Sequence, residues 1–374
     1  MYQYLNAALV RAPAWDPRTL DLPWPSLTGT DATVSSWRCW LEKAWRVPEV
    51  ASAVEAASPD LARQVTRIRA VDDVPETAVR RAVLSTLRYL LRGTSRATPF
   101  GLLAGIAPAH IGPRAVIRAG TGHRAVATAD ATWLTGVIEA LEADGVLCPR
   151  LTVVASDLVA ERDGYLVIGH QSSGSAGSAP QRVQVRATPP VRAALDGARS
   201  PVRADSLAAK LAADFPAVTS DVISSLIARL VSLGFLLSSL RSPMTAPDPL
   251  AALLAELETA TLPGDAGAIR LRAVAASLAC HNTAPSPAAA HEERRHAKAL
   301  TTGIRPAAGP TLAIDLRLDW DLTLPERVAA EAAVAAGVLA RLARRPVLSP
   351  GWAAWPRPHR AGAAWPTEPS SAAR

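Results

Sequence analysis

No uninterrupted apolar run reaches the length of about 18 residues that a membrane-spanning helix needs, so a bilayer span is not supported. Cysteine is scarce. Cys39, Cys148 and Cys280 are scattered and form no CxxC pair, which fits free thiols in a reducing cytoplasm. The opening segment MYQYLNAALVRAPAW lacks the charged front and long apolar stretch of a secretory signal. Only 20% of residues are charged, too few for wholesale disorder. Neither TGTD nor SSGSAGS has the spacing of a phosphate-binding or dinucleotide-binding glycine loop. No serine sits in GxSxG, and no Cys–His grouping has a recognisable local signature, so standard hydrolase and dehydrogenase readings lack support. His291 and His296 are five apart, which rotates them about 140° from each other on a helix, whereas a zinc helix needs a spacing of about four. No metal and no bound cofactor are expected.

What is present is a chain of 374 residues, 49% hydrophobic, enough to bury a sizeable core in two or three domains. The net charge of +7 is almost wholly arginine, because Lys43, Lys210 and Lys298 are the only lysines. A GC-rich coding sequence favours arginine and alanine, so position rather than total must carry a functional argument.

Periodicity and turn signals give an α+β reading. Helices are expected over roughly 31–45 and 48–57, and a third is capped by Ser58 with Pro59 in its first turn. Val79, Val83, Leu87, Leu90 and Leu91 recur at helical spacing between Pro75 and Leu91, with Gly93 as the expected stop. Phe100 to Ile106 reads as a buried strand, and 124–142 as a helix with Asp130 near its start. Further on, Arg162-Asp163-Gly164 marks a hairpin. Helical pieces then lead to SDVISSLIARLVSLG and a closing FLLSS strand, the pattern of a winged helix-turn-helix. Its candidate recognition helix carries only Arg229 as a positive charge, which suits peptide binding better than DNA reading. Two helices follow at 248–260 and 267–280. Then come an Ala/Pro-rich charged patch over 282–310, a strand bearing Asp315, and an alanine-rich helix to Leu342. Residues 350–374 are crowded with Pro, Trp and Arg and have no apolar periodicity, so a disordered tail is expected.

One constellation stands apart. At about 100° per residue, Arg81, Arg88 and Arg92 fall within roughly 40° of each other, opposite the apolar face of their helix. No acid lies on that stripe, and Arg96 follows beside a Thr-Pro turn. Such a stripe is also what the wet side of any helix shows. Its functional reading is an anion site, since guanidinium forks bind phosphate oxygens in pairs.

The run YLLRGTSRATPFGLLAG resembles the signature of the lantibiotic dehydratase N-terminal domain, in which an Arg-x3-Arg pair leads into Thr-Pro-Phe-Gly and Ala-Gly. LVRAP near the start, ASPDL at 57–61, Asp130-x2-Trp133-Leu134, VRATPPVRAAL, LVSLGFLLSSL and AIDL at 313–316 are similar to further family segments in the expected order. The likeness implies that the family uses glutamyl-tRNA as co-substrate to glutamylate Ser and Thr of a ribosomally made precursor peptide. A separate elimination domain then removes glutamate. By the same resemblance Arg88, Arg92 and Arg96 match the family's functional arginines, while Arg11, Asp130 and Asp315 match segments that conform more weakly. Arg11, Arg81, Arg88, Arg92 and Arg96 are the candidates for holding tRNA. Asp130 and Asp315, with the three motif arginines, are the candidates for the reaction itself, although a helix cap or a strand-end ion pair explains each aspartate equally well.

The implied organisation is a glutamylation-like region over 1–147, a winged-helix leader-peptide-binding module over 148–243, a continuation of the first region over 244–349, and the tail. Relatives in the family are much longer, so the resemblance implies a truncated or split protein that works with a partner chain supplying the missing half and the elimination domain. The tail resembles out-of-frame translation of a GC-rich gene. Leu103 also replaces an aromatic residue often found in the motif. A non-catalytic leader-binding subunit and a winged-helix DNA-binding regulator are the competing readings.

Overall fold

The computed structural model describes residues 2–18, 20–171, 181–243, 245–260 and 265–343. The disordered tail expected over 350–374 and the Gly/Ser loop before Gln181 lie outside the described residues. A short strand β1 (Ala8–Pro13) precedes four helices, α1 (Val34–Trp45), α2 (Pro48–Ala57), α3 (Pro59–Ala70) and α4 (Glu76–Ser95). Next come β2 (Ala104–Gly112), β3 (Val116–Ala119), β4 (Arg124–Ala129) and α5 (Ala131–Glu142). The middle of the chain supplies β5 (Thr152–Ala155), β6 (Ala160–Arg162), β7 (Tyr165–Gln171), β8 (Gln181–Arg186), α6 (Pro189–Gly197), β9 (Val202–Arg203), α7 (Ala204–Asp214), α8 (Ser220–Ser232) and β10 (Leu236–Ser238). The last part holds α9 (Pro249–Ala260), α10 (Ala266–Thr283), α11 (Pro287–Ile304), β11 (Leu312–Arg317), β12 (Trp320–Pro325) and α12 (Glu326–Leu342). The α+β class expected from the sequence is what the chain adopts. Among the described residues no helix is long and apolar enough to cross a membrane.

The chain divides into two compact units. Among the described residues the larger spans 11–107 and 120–319, the smaller 2–10, 108–119 and 320–343. In the larger unit the apolar faces of α1 to α4 close on one another through Trp37, Leu41, Val54, Val65, Val83 and Leu87. The Ser58 hydroxyl accepts the Leu61 N–H, and Pro59 opens α3, as the sequence leads one to expect. A second core joins α5, α9, α10 and α11 to β4 and β11, which run antiparallel with Leu312 opposite Ala129. Asn282 of α10 accepts the Ala127 N–H at 2.7 Å and donates to the Ala127 carbonyl at 3.0 Å, so its amide pairs with β4 as a neighbouring strand would.

A third core fills 153–236. Two three-stranded sheets lie there, ordered β10-β5-β9 and β6-β7-β8. Asp163 (φ 50°) and Gly164 (φ 77°) both take positive φ, which closes the tight β6–β7 hairpin at the position the sequence marks. The region is tied to α5 by Glu142, whose buried carboxylate accepts from Ser238 Oγ at 2.7 Å, Arg241 Nε at 2.8 Å and Arg241 Nη2 at 2.7 Å.

The smaller unit holds the end of β2, which runs parallel to β12 from Ala109 opposite Leu322 to Gly112 opposite Pro325. On its other side β12 pairs antiparallel with β3. No residue of α12 is buried, and Val334, Val338 and Leu339 are exposed along it.

Three boundaries differ from expectation. α4 does not stop at Gly93 but runs to Ser95, with Arg96 as its C-cap. Gly93 serves close approach instead, since a Cβ there would meet the Trp15 ring at 2.4 Å. The Trp15 N–H also donates to the Gly93 carbonyl at 3.0 Å. Residues 124–129 form strand β4 rather than the first turns of a helix, and Asp130 marks the change. Over 100–106 a single 3-10 turn, Gly101–Leu103, comes before the strand, which begins at Ala104. Gly101, at φ 54°, supplies the backbone conformation that lets the chain leave α4 and enter that turn.

Candidate functional site

The groove that carries the most chemistry lies along α4. Arg88, Arg92 and Arg96 are four residues apart and therefore share one side of the helix and its cap. They line an open groove of about 720 Å³ together with Ser85, Tyr89, Leu91, Ser95 and Phe100. The opposite face of α4 places Val79, Val83, Leu87 and Leu90 in the core, which fixes the direction the arginines point. Thr98-Pro99 bends the chain back after Arg96, so Phe100 returns to the groove wall.

None of the eight lining residues is acidic. Among the described residues no carboxylate lies within ion-pair distance of Arg88, Arg92 or Arg96. The Arg92 guanidinium stacks on Phe100, 4.4 Å from the ring centroid. Its Nε is shut off from solvent and has no hydrogen-bond partner. Uncompensated cations, one aromatic face and three hydroxyl groups make a site suited to an organic phosphate or a carboxylate.

The other sequence candidates are placed elsewhere. Arg81 is exposed on α4, about two turns before Arg88, and does not line the groove. Arg11 is exposed on β1. Asp130 caps α5, its Oδ1 accepting the N–H groups of Thr132 at 2.8 Å and Trp133 at 3.1 Å. Asp315 is exposed on β11, opposite Val126. Ser85, Tyr89, Ser95 and Phe100 complete the groove and were not singled out in the sequence. For the first three the signal is helical spacing, since 85, 88, 89, 92, 95 and 96 recur at intervals of three and four on one face.

The α+β scaffold and this run of motif residues define a class. The family described as "Lantibiotic dehydratase, N terminus" matches residues 46–360, most of the chain, and the protein belongs to it. A comparison with curated proteins gives no significant match. Among solved structures, the tRNA dependent lantibiotic dehydratase MibB from Microbispora sp. 107891 is 30% identical, with a TM-score of 0.72 over 90% of this chain. The match spans 31% of the MibB chain, so this protein covers about a third of that relative's length. The glutamylation domain TbtB from thiomuracin biosynthesis shares the fold at 18% identity, with a TM-score of 0.52, over 80% of this chain and 36% of that one. A second TbtB structure, bound to 5'-phosphodesmethylglutamycin, matches 85% of this chain and 38% of that one at a TM-score of 0.54 and 18% identity.

Proposed function

We propose that this chain forms the acceptor-end cradle of a glutamyl-tRNA-dependent peptide glutamylation domain. The observation that carries the reading is the row of Arg88, Arg92 and Arg96 along one groove with no carboxylate to neutralise them. Crowding three cations costs repulsion, and a polyanionic ligand removes that cost. In the proposed reaction a Ser or Thr hydroxyl of a precursor peptide attacks the glutamyl ester carbonyl, and the terminal ribose hydroxyl of the tRNA leaves. The arginines hold phosphate or the glutamyl carboxylate, so that attack becomes effectively intramolecular. Arg81, two turns earlier on the same helix, extends the cationic track outside the groove, and Arg11 is a further candidate for holding tRNA. Asp315, exposed on its strand, is the aspartate free to orient a guanidinium or assist proton transfer, since Asp130 already serves α5 as a cap. Glutamyl-tRNA is the co-substrate, and no other cofactor enters. Dehydration calls in addition for the rest of the glutamylation machinery and an elimination domain, supplied by a partner chain or by a continuation of this one.

The same reading gives 148–243 to the precursor's leader peptide. β5 lies between β9 and β10, and α6, α7 and α8 are interleaved with those strands, an order compatible with a winged helix. β6 and β8 are outer strands to which an extended peptide can add, with main-chain hydrogen bonds for affinity and side-chain pockets for specificity. DNA reading is disfavoured by α8, where Asp221 stands in the first turn and Arg229 alone is basic.

The test is the salt dependence of glutamyl-tRNA binding to the full chain. Arg92→Ala is expected to weaken binding and flatten the logarithmic salt slope by roughly one unit, and Arg92→Lys to restore part of the loss. No binding of glutamyl-tRNA at low salt, or a slope that Arg92→Ala leaves unchanged, overturns the reading. Salt-sensitive duplex DNA binding in its place would favour the regulator.

A further inference from the structure

The smaller unit has almost no interior of its own. Among its described residues the buried apolar side chains are Ala109 and Leu322, whereas Val116, Ile117 and the side chains along α12 stand in water. Units of this size seldom hold a core unaided, and oligomerisation is one common remedy. On α12 the surface to be covered is well defined. At about 100° per residue, Val328, Val334, Ala335, Val338, Leu339 and Leu342 fall within an arc of about 140°. All six are exposed, Leu339 by 66% and Leu342 by 76%. An apolar stripe of this kind, left in water, marks a seam for another element.

One charge interrupts the stripe. Glu331 lies inside the arc, and Arg341 stands about 20° beyond its edge. Among the described residues neither is within ion-pair distance of an opposite charge. A carboxylate pressed into an apolar seam needs a cation that arrives with the partner. Two copies of α12 laid antiparallel, with a two-fold axis beside Ala336, supply it. Val334 of one copy is then level with Val338 of the other, and Glu331 with Arg341, and the axis repeats each pairing.

We infer that α12 is a self-docking surface: its exposed face seats on α12 of a second copy of this chain, antiparallel, with Glu331 of each copy paired to Arg341 of the other. This goes beyond the glutamyl-tRNA reading and does not depend on it. A single helix pair buries less than the ~800 Å² per partner of a standard interface, so the dimer dissociates in the micromolar range.

Sedimentation velocity of the full chain, from about 1 to 100 μM, tests it. The wild type is expected to pass reversibly from monomer to dimer. Val338→Lys, its folding checked by thermal melting, is expected to remain a monomer throughout. Glu331→Arg and Arg341→Glu each set like charges face to face at both ends of the seam, and each alone is expected to weaken the dimer at least tenfold. Mixed in equal amounts, these two variants are expected to associate again, because every Glu–Arg contact is restored between one chain and the other. A wild type that stays monomeric at the highest concentration overturns the inference and leaves the stripe to a different protein partner. So does a folded Val338→Lys that dimerises like the wild type, or a mixture no tighter than either charge variant alone.

Discussion

The guanidinium of Arg92 and the ring of Phe100 face each other at 4.4 Å, across a bend that the intervening Thr98-Pro99 imposes. A cation over a ring open to water stabilises by about 0.5–1 kcal/mol. Arg92→Ala is therefore expected to lower unfolding free energy by no more than about 1 kcal/mol, read by urea denaturation. A loss of several kcal/mol would make Arg92 a structural residue and detach it from the groove's chemistry.

Gly93 is a stricter position than its neighbours. Alanine raises helix propensity by about 1 kcal/mol, but here its methyl would run into the Trp15 ring. Gly93→Ala is expected to destabilise by about 1–3 kcal/mol, as overpacked sites do. Adding Trp15→Leu should recover part of that loss, which a thermal-melting cycle of the four proteins measures. A Gly93→Ala protein that melts higher than wild type would show that Trp15 moves aside at no cost.

Glu142 is the most exacting ion pair. Its side chain is 3% exposed against 31% for Arg241. Burial works against the Arg241 charge, yet the hydrogen bonds and charge of Glu142 hold its pKa above the usual value. Removing one partner of a buried pair leaves an uncompensated charge, so Glu142→Ala is expected to cost about 3–5 kcal/mol. Arg241→Met with Glu142→Leu should cost much less, because both charges leave together. Denaturation midpoints of the two proteins decide it.

Burial pushes the His281 imidazole below its ordinary pKa; the hydrogen bond to Asn282 opposes this, the charge of Arg294 adds to it and Glu293 opposes it. His123 is lowered as well, by burial, with Asp319 opposing. A histidine whose folded pKa lies below about 6.5 takes up more protons unfolded, so its neutral form stabilises fully above that pH and the benefit drains away as pH falls below it. The melting temperature is expected to drop between pH 7 and pH 5, and His281→Leu should shrink the drop while His123 leaves a remainder. A pH profile identical to wild type in His281→Leu would place the dependence elsewhere.

The parts of the fold that were legible in the sequence are those where a local signal stood alone. Ser58-Pro59 announced α3, Asp163-Gly164 announced a hairpin, and the apolar repeat of α4 placed its arginines on the outer side. α11 repeats the α3 signal, with the Ser286 hydroxyl accepting from Ala289 and Pro287 in the first turn. There the surrounding Ala/Pro composition masked it, although Ala297 and Thr301 give the helix a buried side. At Gly93 the sequence is ambiguous, because glycine ends helices and also lets rings approach them, and only the distant Trp15 tells which applies. β3, β4 and β12 are short strands whose partners lie far along the chain, so pairing rather than propensity forms them. Phe100 read as a strand residue, and its place in the groove depends on a turn that follows Arg96.

The Asn282 amide matters beyond the two hydrogen bonds it makes to Ala127. A β-strand at the margin of a sheet offers its free main-chain groups to any passing extended segment, its own relatives included. By occupying both groups of Ala127, Asn282 stoppers that margin with a side chain that cannot itself propagate a ladder. An extended segment would have to break both bonds to lodge beside β4 at this point. The amide thus works as a guard on that margin, turning strand-seeking segments away from it.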